Sequence, residues 1–206
     1  MQNETVLVLD FGGQYNQLIA RRIREAGVYS VVLPYKAPIE EIRAAGYKGI
    51  IFTGGPNSVY DEASPRYAEE ILELGVPVLG ICYGAQLMAW LCGGRVESAG
   101  REYGLTMADI DTESGLFQGL DKVQQCWMSH TDYISILPEG FRVTAATPNC
   151  ACAAMEDEKR GLYAVQFHPE VMHTANGTKM LHNFLFNICG CRGDWKMSSF
   201  VNSAVE

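Results

Sequence analysis

Val76-Pro77-Val78-Leu79-Gly80-Ile81-Cys82-Tyr83-Gly84-Ala85-Gln86-Leu87-Met88-Ala89-Trp90-Leu91-Cys92 is the stretch whose reading decides the fold. Val76 to Ile81 is an apolar run of strand length, and Ala85 to Cys92 has helical character. One cysteine, flanked by Gly80 and Gly84, stands where one element becomes the other. A strand-turn-helix junction of this kind is the thiol version of a nucleophile elbow. It lifts the sulfur above the sheet edge and sets it at a helix N-terminus, where the dipole favours thiolate. It also aims the Tyr83 N–H at an oxyanion formed by attack. The glycines relieve crowding in the tight turn.

Upstream, strand and helix signals alternate. Thr5 to Asp10 is a compact apolar run, and Gln14 to Ala26 carries Tyr15, Leu18, Ile19, Arg22 and Ala26 at helical spacing. Ser30 to Leu33 reads as a strand and Pro38 to Ala45 as a helix with proline in its first turn. Gly49 to Thr53 is the next strand and Pro65 to Leu74 the next helix. This alternation implies a parallel sheet with helices on both faces. Downstream the chain is richer in strands: Tyr103 to Ile110, Val123 to Met128, Phe141 to Thr147, Ala151 to Glu156 and Leu162 to Phe167. A last helix spans Thr178 to Ile188. The expected fold is α/β, a mostly parallel central sheet flanked by helices with additional antiparallel strands in the second half. Residues 1–189 form one domain, and 190–206 read as a linker or tail leading elsewhere.

Composition narrows the class. The chain has 206 residues, 48% hydrophobic and 19% charged, which suits one globular domain. A net charge of −8 argues against non-specific nucleic-acid binding. No apolar run reaches the ~18 residues of a membrane span, and Met1 to Thr5 has no signal-peptide character. Seven scattered cysteines, an odd number, do not suggest a disulfide framework. They fit a reducing cytoplasm. The pairs Cys150/Cys152 and Cys189/Cys191 match no four-ligand zinc spacing, so no metal site is expected.

Far downstream of the elbow stands His168-Pro169-Glu170. Proline holds the preceding residue extended. In extended chain, residues i and i+2 share a face, so Glu170 can orient one ring nitrogen of His168 and leave the other for a thiol. Cys82, His168 and Glu170 thus outline a triad for attack on a carbonyl carbon. His130, His173 and His182 are weaker bases. Thr53-Gly54-Gly55-Pro56-Asn57 ends another strand of the first half. It lacks the Lys-Ser/Thr of a phosphate loop, and the Gly55 N–H reads better as a second oxyanion donor. Asp10-Phe11-Gly12-Gly13 is no dinucleotide fingerprint.

Gly54-Gly55-Pro56, Gly80-Ile81-Cys82-Tyr83-Gly84-Ala85-Gln86 and Gln166-Phe167-His168-Pro169-Glu170, in this order, resemble the class I (triad-type) glutamine amidotransferases. A finer resemblance is to the branch that aminates XMP to GMP. It rests on Asp10-Phe11-Gly12-Gly13-Gln14-Tyr15, Gln17 to Arg22, Asn57-Ser58-Val59-Tyr60, Arg101-Glu102-Tyr103-Gly104 and Trp127-Met128-Ser129-His130. Ile188-Cys189-Gly190-Cys191, with Trp195 and Met197, is similar to the join between glutaminase and synthetase domains.

The resemblance implies glutamine as substrate, Cys82 as nucleophile, His168 as acid/base and Glu170 as its orienter. It implies Gly55 and Tyr83 as oxyanion donors. Gln86, Asn57, Ser129, His130, Thr131 and Asp132 would hold glutamine, with Thr131 where glycine is more usual. No cofactor is implied for this domain. The Ser-Gly-Gly-x-Asp-Ser loop of the synthetase half does not occur in the chain. ATP and magnesium are therefore expected only in an ATP-pyrophosphatase synthetase domain, on a longer chain or a separate subunit, which would consume the ammonia. Arg101 is a candidate contact with that partner, and a homo-oligomer would form through it. Two other readings stay open: the glutaminase of another amidotransferase (anthranilate or aminodeoxychorismate synthase) or a gamma-glutamyl hydrolase, and a silent partner-binding module.

Overall fold

The computed structural model describes residues 3–197; the last part of the expected tail, 198–206, lies outside the described residues. Its strands are β1 (Thr5–Asp10), β2 (Tyr29–Pro34), β3 (Gly49–Phe52), β4 (Val78–Ile81), β5 (Arg95–Ile110), β6 (Val123–Ile136), β7 (Arg142–Thr147), β8 (Cys150–Asp157) and β9 (Leu162–Val165). They form one sheet in the order β2-β1-β3-β4-β9-β8-β7-β5-β6. The first five run parallel and the remaining pairings are antiparallel. The mixed sheet thus has its parallel part built by the first half of the chain, as expected, completed by β9 from near the end.

Helices α1 (Asn16–Glu25), α2 (Ile39–Ala45), α3 (Tyr83–Leu91) and α4 (Gly177–His182) flank it. The β1 side chains alternate. Val6 and Val8 enter a core with Ile19, Ala20 and Ile23 of α1 and Met180 and Leu181 of α4. Leu7 and Leu9 enter a second core with Ile42 of α2 and Leu87, Met88 and Ala89 of α3. Both faces are dry, which is why the parallel strands read as unbroken apolar runs. Each fully buried Leu, Ile or Val contributes about 1.5–3 kcal/mol relative to exposure.

Three segments differ from the sequence reading. The helix expected over Pro65 to Leu74 is a single 3₁₀ segment, Glu69–Glu73. Its acidic residues face solvent while Ile71 and Leu72 are buried, so tertiary packing fixes a turn shorter than the apolar spacing suggests. The last helix is α-helical only to His182 and widens to a π-helix over Asn183–Ile188. There the Asn183 amide donates to the Leu116 and Gln118 carbonyls. The strands of the β5–β6 hairpin run much further than predicted, to Arg95 and Ile136. Gly100 and polar residues hide this from pattern reading, because His130 and Asp132 occupy buried positions of β6 where the alternation would call for apolar side chains.

Residues 190–196 fold back along the domain. Cys191 is buried, the Trp195 amide donates to the Gly27 carbonyl (2.8 Å), and its ring lies 5.5 Å from that of Tyr29. No helix among the described residues is long and apolar enough to cross a membrane.

Candidate active site

The Cys82 amide donates to the Val165 carbonyl (2.8 Å), extending the β4–β9 ladder one step beyond β4. The chain then reverses at Cys82, with φ 53° and ψ −108°. It is the only non-glycine with positive φ among the described residues. The amides of Ala85 and Gln86 donate back to the Cys82 carbonyl, so α3 starts at once. Both flanking glycines are sterically required. A Cβ on Gly80 would meet the Gly84 oxygen at 2.5 Å, and one on Gly84 would meet the Phe52 oxygen at 2.5 Å. The motif spacing is therefore the contact distance between β4, α3 and β3.

The register Ile81↔Val165 sets the end of β9 beside the elbow. A few residues on, His168 Nδ1 and Glu170 Oε1 are 2.7 Å apart, with both side chains buried. The i, i+2 geometry expected from the proline is what forms. Nδ1 faces the carboxylate, so Nε2 is the nitrogen left for the sulfur. Burial disfavours the His168 cation, but the Cys82 sulfur and the Glu170 carboxylate outweigh it and push the pKa up to about 10.

The imidazole is further fixed from its backbone. The His168 amide donates to the Trp127 carbonyl (3.2 Å), and its carbonyl accepts from Thr174 Oγ1 (2.6 Å). The same hydroxyl accepts from the Trp127 amide. Arg22 Nε donates to the Glu170 carbonyl (3.1 Å), and the Tyr15 ring meets the imidazole edge-on at 5.7 Å.

These groups open into a cleft of about 630 Å³ lined by Gly12 to Asn16, Gly54 to Ser58, Cys82, Tyr83, Gln86, Ser129 to Asp132, His168 and Glu170, among others. It lies over the carboxyl ends of β1, β3, β4 and β9, where ligands bind in open α/β sheets. A scan against protein-family models matches "Glutamine amidotransferase class-I" over residues 7–188. The chain belongs to this family.

Among amidotransferase relatives, the chain is 61% identical over 207 residues to the GMP synthase [glutamine-hydrolyzing] of Clostridium botulinum strain Alaska E43. It is 58% identical over 207 residues to that of Acetivibrio thermocellus. All of this chain is covered in both, but it spans only about 40% of the length of these curated relatives. A solved structure from Thermoplasma acidophilum, described as that of a GMP synthase subunit, matches over 100% of both chains. Its TM-score is 0.78 at 29% identity. A glutamine amidotransferase from Thermotoga maritima shares the fold, with TM-score 0.73 and 18% identity over 92% of this chain and 100% of its own.

Every site residue expected from the amidotransferase motifs lines this one cleft: Cys82, His168, Glu170, Gly55, Tyr83, Gln86, Asn57, Ser129, His130, Thr131 and Asp132. The β6 segment from Ser129 to Asp132 forms one wall. Its Ser129 carbonyl lies 3.6 Å from Cys82 Sγ. The Asp132 carboxylate accepts from Ser58 (2.5 Å) and Tyr60 (3.0 Å), tying this wall to the Gly54–Tyr60 loop. His130 turns away from the sulfur: Nδ1 donates to the Asp132 carbonyl (2.8 Å) and Nε2 lies 3.0 Å from Glu102 Oε2. Thr131 is exposed, with its hydroxyl 3.3 Å from that of Tyr103. His173 packs on the Trp127 ring and His182 on Phe186, both away from the cleft lining.

Arg22, Thr174, Glu102 and Gln166 are the contributors that sequence reasoning missed. Arg22, Glu102 and Gln166 stand inside the motifs quoted above, which gave a signal for the family and none for these contacts, and Thr174 stands in none. Burial pushes the thiols of Cys92, Cys126, Cys150, Cys152, Cys189 and Cys191 upward, which makes them poor nucleophiles at neutral pH. Glu102, His130 and Cys150 bring potential metal-ligand atoms within 4.8 Å of one another. The Glu102 carboxylate is already engaged by His130 and by Thr147 (3.1 Å).

Proposed function

We propose that this chain hydrolyses glutamine to glutamate and ammonia. The observation that carries the reading is Cys82 held in a strained elbow beside a buried His168–Glu170 pair, at the head of a cleft large enough for an amino acid. Glutamine lies with its side-chain amide carbon over Cys82. Sulfur attacks as the thiolate, its proton already held on His168 Nε2, and the Gly55 and Tyr83 amides receive the oxyanion. The C–N bond then breaks. His168 returns the proton to nitrogen, and ammonia leaves a glutamyl thioester. Water attacks the thioester while His168 takes its proton, then returns it to the sulfur as glutamate departs. Glu170 orients the ring and balances its charge throughout. Gln86, Asn57 and the wall from Ser129 to Asp132 hold the substrate.

The curated relatives are GMP synthases more than twice as long as this chain, which supports a partner for the ammonia. In this reading the ammonia aminates adenylated XMP to give GMP in guanine nucleotide synthesis in the cytoplasm. The acceptor, ATP and magnesium belong to a synthetase portion following a boundary near residue 189. The same relatives favour this acceptor over chorismate-derived ones.

The test is covalent labelling with 6-diazo-5-oxo-norleucine, read by mass spectrometry. A single adduct on Cys82 that excess glutamine prevents is the expected result. Cys82→Ala abolishes both labelling and glutamine hydrolysis in the presence of the synthetase portion. Hydrolysis that survives in Cys82→Ala would overturn the assignment.

A further inference from the structure

A chain of buried amides leads from the substrate wall to the nucleophile, and its direction can be deduced. The Asp132 carbonyl oxygen can only accept. It takes hydrogen bonds from Gln86 Nε2 (3.0 Å) and from His130 Nδ1 (2.8 Å). That fixes the NH₂ end of Gln86 on this side. The same NH₂ lies 3.1 Å from the next partner, Gln166 Oε1, which must then be the oxygen end of Gln166. The NH₂ end of Gln166 is left facing Cys82 Sγ, at 3.6 Å. Amide orientations are settled by the network around them, and here a backbone carbonyl anchors the whole series. Gln166 is 1% exposed and Gln86 3% exposed, so water does not compete for these bonds.

We propose that Gln166 is a catalytic residue: its side-chain N–H donates to the sulfur of Cys82 and stabilises the thiolate, with Gln86 and the Asp132 carbonyl holding it in the donating orientation. The proposal rests on Cys82 being the nucleophile. Once the thiol proton has moved to His168, the anionic sulfur is stabilised by a donor besides the imidazole. A neutral acceptor such as the Ser129 carbonyl, at 3.6 Å, cannot serve the anion. Hydrogen bonds to charged groups are the strong ones, and low-dielectric surroundings increase their effect. Gln86 thereby acquires a role beyond lining the cleft. It polarises and orients Gln166, so it is a positioning residue for the nucleophile.

The experiment compares this chain with Gln166→Met, a variant of similar volume without a donor. The first readout is the ultraviolet thiolate absorbance followed across a pH titration, each protein measured against its own Cys82→Ser partner. The second is the rate of Cys82 carbamidomethylation by iodoacetamide, located by mass spectrometry. Burial holds the other six thiols protonated, which keeps that readout on Cys82. Circular dichroism and the unfolding midpoint establish that the variant is folded.

The expected result is a thiolate band that rises at a pH about one unit higher and an alkylation rate about 10-fold lower below that rise, the scale of a lost hydrogen bond to an anion. If Gln166→Met does not fold, Gln86→Met carries the test. It leaves Gln166 in place but frees its amide to rotate, so a smaller change in the same two signals is expected. A folded Gln166→Met with an unchanged thiolate band and alkylation rate would overturn the proposal while leaving the glutaminase reading intact. Glutamine hydrolysis that persists in Cys82→Ala would instead remove the reading beneath it.

Discussion

Replacing Cys82 by glycine should yield a more stable protein than replacing it by alanine, by about 1 kcal/mol. The two variants both lack sulfur, so the lost thiol contacts cancel and the comparison isolates the Cβ. At φ 53° and ψ −108° the residue has the conformation of the first central position of a type II′ turn, which glycine dominates. Strain for a side chain there is about 2–3 kcal/mol, the upper part of the usual range, because ψ lies outside even the left-handed basin. Two terms oppose it. Glycine widens the unfolded ensemble at a cost of about 0.5–1 kcal/mol, and one buried carbon is lost, about 0.8 kcal/mol. Strain wins by about 1 kcal/mol, or a midpoint some 2–4 °C higher in a domain of this size. Urea unfolding of both variants, fitted with a common slope, measures it. In a regular strand or helix alanine would win by about 0.5–1 kcal/mol. That ordinary order at position 82 would show that the elbow carries no strain.

Two other perturbations test the surroundings. Gly84→Ala would push a Cβ to 2.5 Å from the Phe52 carbonyl and 2.6 Å from the Phe52 Cβ, where the backbone of β3 cannot retreat. It should lose about 1–3 kcal/mol in denaturant titration and slow Cys82 labelling, whereas an unchanged midpoint would mean that α3 and β3 are not in contact. Glu170→Gln removes a cause that raises His168, so the imidazole titration seen by NMR should move down toward the ordinary value near 6.5. The sign for stability follows. The folded pKa lies above the unfolded one, so the pair's contribution is complete below about 6.5 and is lost as pH rises toward about 10. The stability gap between this chain and Glu170→Gln should therefore narrow across that window. A gap that widens with pH would refute the pairing.

What the sequence discloses is whatever is local. Gly80, Cys82 and Gly84 mark the elbow because three elements touch there within five residues. His168 and Glu170 mark the base because a proline dictates their shared face. The alternation of strands and helices discloses the parallel half. The placement of β9 beside β4, however, is a pairing between distant parts of the chain that no spacing reveals. The full length of the β5–β6 hairpin is hidden too. Glu102, His130 and Asp132 stand in motifs, but no spacing reveals that they are held against one another and against Thr147, Ser58 and Tyr60. Arg22 falls within the helical spacing of Gln14 to Ala26, but its bond to the Glu170 carbonyl depends on packing between distant segments. Gln166 carries no chemistry until Gln86 and the Asp132 carbonyl fix which end of its amide meets the sulfur.

The pairing of β4 with β9 also sets an order in time. Cys82 leaves the ribosome 86 positions ahead of His168. At about 5–20 residues per second, roughly 4–17 s pass in which the thiol exists without its base, its orienter or the strand that receives its amide hydrogen bond. The nascent chain thus carries an ordinary cysteine. Its reactivity arises with the closing of the sheet, so the nucleophile is not armed before the rest of this fold is in place.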